Sequence, residues 1–367
     1  TLLPTLIKHK PFSKRTTKAR FQWQNRAFDL AKSVQKSTEQ QGFFGVNMAS
    51  TGCGKTLGNA RIMSALADSQ KGARFTIALG LRVLTLQTGR ALKEKLALED
   101  EALAILVGGG AVRSLFELQQ NVGSESAEDW FDDQQIEGGM ITENGADSLQ
   151  EFSTLLADPK AKNLLNSPLV VCTIDHLIQA SECTRGGKHI VPILRLLTGD
   201  LILDEPDDFD QNDLPALSRL VYFAGLFGSR VLLSSATLTP DLIAGLFEAY
   251  QTGRNCWNQN NGFAQSPVCC AWFDEFQQHT QSCGEIAQFS KQHQQFVQQR
   301  VKTLSQQPTR RKAEILAFPS LMGAENQKMN WPLFADCLLQ QAVSFHHNFA
   351  TSDKVSGKRV SIGLIRL

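Results

Sequence analysis

No C-x-x-C pair occurs among the eight cysteines of this 367-residue sequence, and the cysteines are scattered along it. A structural zinc site usually needs paired spacing, and the scattered cysteines favour reduced thiols in a cytoplasmic protein over a disulfide framework. Histidines give no better metal site: His346 and His347 are adjacent and His176 follows Asp175, but no His/Asp cluster at metal-ligand spacing joins them.

Long apolar runs are also missing. No stretch approaches the roughly 20 residues that a membrane-spanning helix requires, so we expect no membrane partner. The first residues, TLLPTLIKHKPFSK, place basic residues after apolar ones, unlike a secretory signal, and lack an initiator Met, which favours a fragment of a longer chain. The formal net charge of +1 neither indicates nor excludes a nucleic-acid partner.

Two segments have charge of almost one sign. Residues 1–20 are basic and indicate a linker or arm, whereas residues 114–159 contain no Lys or Arg and many acidic residues. The acidic segment predicts either a solvated insertion or a surface that repels DNA or docks a basic partner. Similarly, the basic residues at 8–20 and 300–312, which include Arg300, belong either to solvated linkers or to a nucleic-acid grip.

Short aliphatic runs alternate with helical patterns through most of the chain. Such alternation predicts an α/β fold with a parallel sheet covered by helices on both faces, because the strands are apolar throughout. The predicted strands are GFFGVNMA, RFTIALGL, SPLVVCTI, LLTGDLILD and SRVLLSSAT. After residue 285, a Gln-rich and basic stretch predicts a helical connector, and the terminal KRVSIGLIRL predicts a strand that begins a second domain.

A phosphate-binding loop follows the first predicted strand. The sequence ASTGCGKT matches G-x-x-x-x-G-K-[ST] with Ala in the first place, and it is followed by a helical pattern. Glycines let backbone N–H groups wrap phosphate oxygens, the Lys reaches the β- and γ-phosphates, and the Thr hydroxyl coordinates Mg²⁺. The predicted nucleotide-binding residues are Ala49, Ser50, Thr51, Gly52, Cys53, Gly54, Lys55 and Thr56.

A second strand ends in the acidic run LILDEPDDFD. Downstream of a phosphate loop, a strand ending in Asp-Glu indicates the Walker-B arrangement. We expect Asp204 to hold Mg²⁺ and Glu205 to orient and deprotonate the attacking water, so that with Lys55 they are the catalytic residues. Asp208 and Asp210 lie beyond the strand tip and receive no catalytic part.

The order A-x-T-G-x-G-K-T, D-E-x-D and S-A-T on alternating strands resembles a superfamily 2 helicase with RecA-like P-loop lobes. That resemblance implies coupling of ATP to movement through Asp207, Ser235 and Thr237, and adenine reading by Gln24. It also implies DNA contacts in the family's motifs Ia and Ib and at a glycine pair. The matching positions are Arg82 and Thr85, Thr173, and Gly108 and Gly109.

A narrower resemblance covers nearly the whole chain. The segments ARFQWQNRAFDLA, MASTGCGKT, LILDEPDDFD, PVCCAWFDE, QPTRRKAEIL and SGKRVSIGLIRL are similar to the helicase part of the CRISPR-associated helicase–nuclease of type I systems, subtype I-F (Yersinia type). This resemblance implies an ATP-dependent translocase on single-stranded DNA. Its implied partners are an RNA-guided surveillance complex and the CRISPR adaptation integrase, and its cofactors are ATP and Mg²⁺, with nuclease metals only in an HD domain outside this chain.

The resemblance implies three regions. Residues 1–20 are a linker from an upstream domain, 21–285 the first RecA-like lobe, and 286–367 a connector with the start of a second RecA-like lobe. An H…HD nuclease cluster and the family's Q-x-x-G-R-x-x-R arginine motif are absent. Because arginine fingers contribute strongly to the hydrolysis rate, we expect the chain alone to hydrolyse ATP poorly. Another RNA or DNA helicase of superfamily 2 and a non-catalytic partner-binding fragment stay open as alternatives.

Overall fold

The computed structural model describes residues 3–107, 159–181, 189–208, 213–307, 331–353 and 356–361. Two compact units divide the chain, Thr1–Gln306 and Gln307–Leu367. The domain boundaries expected at residues 20 and 285 stay predictions. Apart from Pro159, the acidic segment lies outside the described residues, as do Gly108 and Gly109.

The described strands of the first unit are β1 Phe43–Asn47, β2 Phe75–Leu79, β3 Leu103–Leu106, β4 Leu169–Thr173, β5 Asp200–Asp204, β6 Val231–Ser234, β7 Val268–Phe273 and β8 Gln278–Cys283. Its described helices are α1 Lys10–Ser13, α2 Trp23–Val34, α3 Ser37–Gln41, α4 Lys55–Leu66, α5 Arg82–Leu96, α6 Pro159–Asn166, α7 Asp175–Ile178, α8 Ile190–Thr198, α9 Leu214–Leu226, α10 Pro240–Asn260 and α11 Ile286–Ser305. Short 3-10 turns occupy Ala19–Phe21, Asp100–Ala102 and Pro206–Asp208.

The strands form one sheet in the order β3-β4-β2-β5-β6-β1-β7-β8. Every neighbouring pair is parallel except β7 and β8, which are antiparallel. Along β5 the side chains alternate between two hydrophobic clusters: Leu201 and Leu203 belong to one and Ile202 to the other. Burial on both faces explains the continuous apolar runs and confirms the α/β fold predicted from the sequence, a largely parallel sheet covered by helices on both faces.

Two local expectations were wrong or incomplete. The stretch LLTGDLILD is not one strand, because its first three residues end α8 and β5 begins only at Asp200. Leu196 is buried on the inner face of that helix whereas Leu197 is exposed, and the helix ends before Gly199, whose backbone is extended. Strands β7 and β8 were not predicted, since β7 is rich in Cys and aromatic residues and β8 is the polar sequence QHTQSC.

The basic N-terminal segment packs within the first unit. Phe12 is buried in the cluster that also contains Phe75, and Arg61 Nε donates a 2.8 Å hydrogen bond to the Phe12 carbonyl. An isolated antiparallel bridge joins Leu6 to Ala73. The start of α2 lies at the phosphate loop, where its predicted nucleotide-binding Gln24 donates to the Gly54 carbonyl.

The second unit contains α12 Trp331–Phe349 and a small antiparallel pair, β9 Thr351–Ser352 with β10 Arg359–Val360. Only two residues of the predicted terminal strand are in β10, and residues 362–367 lie outside the described part. That this unit begins a second RecA-like lobe stays a prediction. None of the helices among the described residues is long and apolar enough to cross a bilayer.

Candidate functional site

The last residues of six strands lie side by side at the carboxyl edge of the sheet. The pairings join Thr173 to Leu79, Leu79 to Asp204, Asp204 to Ser234, Ser234 to Asn47 and Asn47 to Phe273. Open parallel sheets bind ligands at this edge, where the loops leave the strands. The phosphate loop, Glu205 and the S-A-T segment each follow one of these terminal residues, so the fold brings the predicted motifs together.

Two glycines shape the phosphate loop. Gly52 has φ +81° and Gly54 has φ +78°, values in the left-handed region that residues with a Cβ seldom adopt. A Cβ at Gly52 would lie 2.7 Å from Arg20 Nη2, and one at Gly54 would lie 2.7 Å from Gln24 Nε2. Helix α4 begins at Lys55, directly after the loop, so its unpaired N–H groups and positive dipole end face the loop's concave side.

Lys55 and Glu205 form a partly buried ion pair. The ammonium of Lys55, which is 9% exposed, lies 2.5 Å from Glu205 Oε1. Glu205 has φ +51°, a conformation that costs about 1–3 kcal/mol for a non-glycine residue and clusters at functional sites. Its N–H donates a 2.7 Å hydrogen bond to the Ser234 carbonyl, which holds the strained residue at the strand tip.

Asp204 is the more deeply buried carboxylate, 6% exposed. Burial raises its pKa to about 6, against the opposing effects of the Ser234 hydroxyl and the Lys55 charge. Among the described residues its Oδ1 has no hydrogen-bond partner. A buried, unpartnered carboxylate oxygen is costly unless a cation or donor reaches it, so this atom is suited to a metal ion.

A buried polar chain connects the phosphate-loop strand to the acidic strand. Asn47 Nδ2 donates to Asn59 Oδ1 at 2.6 Å, and Asn59 Nδ2 donates to Ser234 Oγ at 2.7 Å. Asn47 Oδ1 also accepts a 3.1 Å hydrogen bond from the N–H of Ala49. Sequence reasoning missed this chain, although the amides of Asn47 and Asn59, standing among apolar residues, were an available signal.

The predicted coupling residues also meet. Thr237 Oγ1 donates to Asp207 Oδ2, and Ser235 Oγ accepts a 3.1 Å hydrogen bond from the N–H of Thr237. Burial alone would raise the pKa of Asp207, but hydrogen bonds from Thr237 and Ser235 outweigh it and hold the pKa below its usual value. The D-E-x-D and S-A-T segments are therefore joined side chain to side chain.

A cleft of about 250 Å³ opens at the centre of these motifs. Its lining brings together most of the predicted phosphate-loop residues, the last residue of β5 and Glu205 directly after it, and it adds three residues that sequence reasoning did not select. The lining residues are Thr51, Gly52, Gly54, Lys55, Thr56, Asp204 and Glu205, with Leu79, Leu84 and Thr88 as the additions.

Helix α2 supports the loop from the opposite side. Gln24 is buried and its Nε2 donates a 3.0 Å hydrogen bond to the Gly54 carbonyl, while Trp23 Nε1 donates to the Cys53 carbonyl at 2.9 Å. A Cβ on Gly58 of α4 would lie 2.4 Å from the Trp23 ring, so α2 and α4 are in close contact. In this arrangement Gln24 holds the loop, and its reading of adenine stays a prediction.

The predicted DNA-contact residues are not gathered in the cleft. Arg82 is exposed at the start of α5. Thr85 is buried and its Oγ1 donates to the Leu81 carbonyl at 3.0 Å, an orientation that does not favour a phosphate contact. Thr173 is buried at the end of β4, and its hydroxyl has no partner among the described residues.

Arg300 is placed differently from a surface cation. It is 5% exposed and donates to Glu275 and to Ser50 of the phosphate loop. Asp274 and Glu275 follow β7 at the same edge of the sheet at which Glu205 follows β5. Functional residues often follow strand ends at this edge, so a prediction of β7 would have made these two residues candidates. In the described part of the chain, no cluster of three or more His, Cys, Asp and Glu side chains has the arrangement of a metal site.

No family model matches the chain. It is 48% identical over 380 residues to the CRISPR-associated nuclease/helicase Cas3 subtype I-F/YPEST of Pseudomonas aeruginosa and 46% identical over 384 residues to the protein of the same description in Pectobacterium atrosepticum. Both alignments include 100% of this chain but 34% of the relative. The solved structure of T. fusca Cas3-ATP matches 68% of this chain and 24% of its own with 19% identity and a TM-score of 0.48. Over its whole length the chain is similar to nuclease/helicases described as Cas3 subtype I-F/YPEST, and it spans about a third of the length of those relatives.

Proposed function

We propose that this chain is the ATP-binding lobe of a translocase that moves along single-stranded DNA in CRISPR interference. The observation that carries the proposal is the convergence of Lys55, Thr56, Asp204 and Glu205 on one cleft at the carboxyl edge of the sheet. Relatives of the chain are nuclease/helicases, and this cleft has the donors and acids that phosphoryl transfer from a nucleotide requires.

Each residue has a role in that reaction. The N–H groups of the loop and of the first turn of α4 bind phosphate oxygens, and Lys55 binds the β- and γ-phosphates. Mg²⁺ fits Asp204, whose Oδ1 is buried without a partner among the described residues, together with the nearby Thr56 hydroxyl. When bound, that cation neutralises charge on the phosphates. Glu205 orients the attacking water and accepts its proton.

Lys55 must exchange partners for this to happen. Its ammonium is bound to Glu205, and a γ-phosphate at the cleft offers a stronger, multiply charged acceptor. Moving Lys55 to phosphate leaves the Glu205 carboxylate free to act as a base. The same displacement therefore binds the nucleotide and prepares the water-activating group.

The rest of the proposal concerns the complete protein. Asp207 and Thr237 couple nucleotide binding in the cleft to the movement of a second RecA-like lobe. An HD nuclease with its own divalent metals degrades the DNA. The partners we propose are the RNA-guided surveillance complex, which recruits the motor, and the CRISPR adaptation integrase; we propose a cytoplasmic location. Grip on DNA phosphates makes translocation salt-sensitive and largely independent of sequence.

The test compares ATP hydrolysis and translocation by the complete protein with and without single-stranded DNA. We expect DNA to stimulate hydrolysis, and Lys55→Ala to abolish ATP-driven translocation while metal-dependent nicking of single-stranded DNA remains. Translocation by Lys55→Ala would refute the assignment of the cleft. Stimulation by RNA but not DNA would favour another superfamily 2 helicase, and an inert complete protein would favour a non-catalytic partner-binding fragment.

A further inference from the structure

A single carboxylate takes both polar donors of Ser50, the second residue of the phosphate loop. The Ser50 N–H donates to Glu275 Oε2 at 3.1 Å, and its hydroxyl donates to Glu275 Oε1 at 2.5 Å. Glu275 follows β7, so the loop after β1 is tied to the loop after the neighbouring strand. A two-point bond of this kind fixes the orientation of the peptide as well as its position.

Arg300 closes the cluster from helix α11. Its Nη1 donates to Glu275 Oε2 at 2.8 Å and lies 3.2 Å from Asp274 Oδ2, while its Nη2 donates to Ser50 Oγ at 3.0 Å. Ser50, Glu275 and Arg300 thus form a ring of three mutually bonded side chains. The planar guanidinium suits this task because its donors are fixed relative to one another.

Carboxylates outnumber the cation in the cluster, and its members are largely buried. Two carboxylates, Asp274 and Glu275, surround one guanidinium, and Asp274 is held in turn by the N–H groups of Phe276 and Gln277 at 2.7 Å each. Burial would raise the pKa of Glu275, but hydrogen bonds from Arg300 and Ser50 outweigh it and lower the pKa. An arginine neutralised in this way does not compete with Lys55 for the phosphates.

We propose that Glu275 and Arg300 are positioning residues that hold the first half of the phosphate loop in its nucleotide-binding shape. The proposal rests on the proposed function, because it assumes that the loop binds phosphate. Gln24 and Trp23 hold the second half of the loop through the carbonyls of Gly54 and Cys53. The cluster around Ser50 supports the first half in the same way. Without this support, the loop would lose more conformational entropy when it binds nucleotide.

The test measures ATP affinity and steady-state hydrolysis of the complete protein carrying Glu275→Gln, Arg300→Ala, Arg300→Lys or Ser50→Ala. We expect Glu275→Gln and Arg300→Ala to raise the Kd and KM for ATP about tenfold, the loss expected for a hydrogen-bonded charged group, while kcat changes less. Arg300→Lys should recover part of the ATP affinity, because lysine keeps the positive charge but lacks the fixed, planar donors of the guanidinium. Lys291→Ala, an exposed cation on the same helix, is the matched control and should bind ATP as the wild type does.

A double-mutant cycle separates positioning from general loss of stability. If Glu275 acts through Ser50, the effects of Ser50→Ala and Glu275→Gln on ATP affinity are less than additive, and thermal unfolding shows each variant folded. Wild-type affinity in both Glu275→Gln and Arg300→Ala would overturn the proposal, as would an affinity loss that appears only where the protein unfolds. If the wild-type protein itself binds no ATP, or Lys55→Ala binds it unchanged, the proposed function fails instead.

Discussion

The ammonium of Lys55 lies 2.5 Å from the Oε1 of Glu205, so the two side chains expected to act on phosphate and on water neutralise one another. Glu205 reaches this position with a left-handed backbone, φ +51°. The pair keeps two charges in a partly buried site without leaving either uncompensated. On the proposed function, a phosphate that reaches Lys55 competes with Glu205 for the ammonium donors.

Glu205→Gln should separate the two functions of this pair. The neutral amide releases Lys55, so ATP should bind as tightly as in the wild type or more tightly, while loss of the base should lower the hydrolysis rate by about 10²–10⁴-fold. Lys55→Ala should instead weaken ATP binding. Equilibrium binding and hydrolysis measured on both variants of the complete protein check this, and equal losses of affinity in the two would contradict it.

Asp204→Asn should make the protein more stable and less active. Asp204 is a buried charge whose Oδ1 has no partner among the described residues, and an amide of the same shape avoids the cost of burying that charge. We expect thermal unfolding without nucleotide to occur at an equal or higher temperature, and Mg²⁺-dependent ATP binding to weaken. Asp208→Asn, in the same acidic run, is the control; an equal effect on ATP binding would show that the metal ligand is misassigned.

Two glycines of α10 should respond to alanine in opposite ways. A Cβ at Gly253 would lie 2.1 Å from the Tyr222 carbonyl oxygen of α9, whereas one at Gly245 meets nothing within 4 Å. Gly253→Ala should lower the free energy of unfolding by about 1–3 kcal/mol through overpacking. Gly245→Ala should raise it by about 0.5–1 kcal/mol through helix propensity. Urea unfolding followed by circular dichroism measures both; a stabilising Gly253→Ala would show that the helices separate easily.

The imidazole of His293 should make the first unit sensitive to acid. His293 is 2% exposed, neither ring nitrogen has a partner among the described residues, and burial lowers its pKa to about 4. The unfolded chain takes up a proton near pH 6.5 but the folded chain does not, so stability is full above that pH and is lost as the pH falls toward 4. The loss amounts to about 3 kcal/mol at most.

Replacing His293 by Phe should remove most of that acid sensitivity, since an apolar ring keeps the parallel contact with Phe289 and binds no proton. His279→Phe is the matched control, because His279 is exposed and should leave the pH dependence unchanged. Urea unfolding at pH 7.5 and pH 5 measures the difference. A pH dependence identical in wild type and His293→Phe would rule out His293 as its source.

The residues at the centre of the candidate site could be selected from the sequence because they belong to short, contiguous motifs. Gly52, Gly54 and Lys55 stand within a few residues, and Asp204 and Glu205 end a run of aliphatics, so spacing and burial pattern alone predicted a phosphate loop beside an acidic strand end. The strand order then places these segments at the same edge of the sheet, with β6 between β1 and β5.

The contacts that could not be predicted from the sequence join residues that are far apart along the chain. Ser50 and Arg300 are 250 positions apart, and their contact depends on β7, whose cysteines and aromatics do not resemble the aliphatic strands. Arg195 shows the same limit: it is fully buried and donates to the carbonyls of Phe75, Ser167 and Pro168, a role that no local pattern distinguishes from a surface arginine. Tertiary contacts, not local preference, decide where such charges lie.

The placement of β6 between β1 and β5 determines how wide the cleft is. Neighbouring strands are about 4.8 Å apart, so the phosphate-loop strand and the acidic strand stand about 10 Å apart whatever their side chains do. The long Lys55 side chain is therefore needed to reach Glu205 across that gap. Because the distance between the two strands is set by the backbone, a side-chain substitution at the edge of the cleft does not change it.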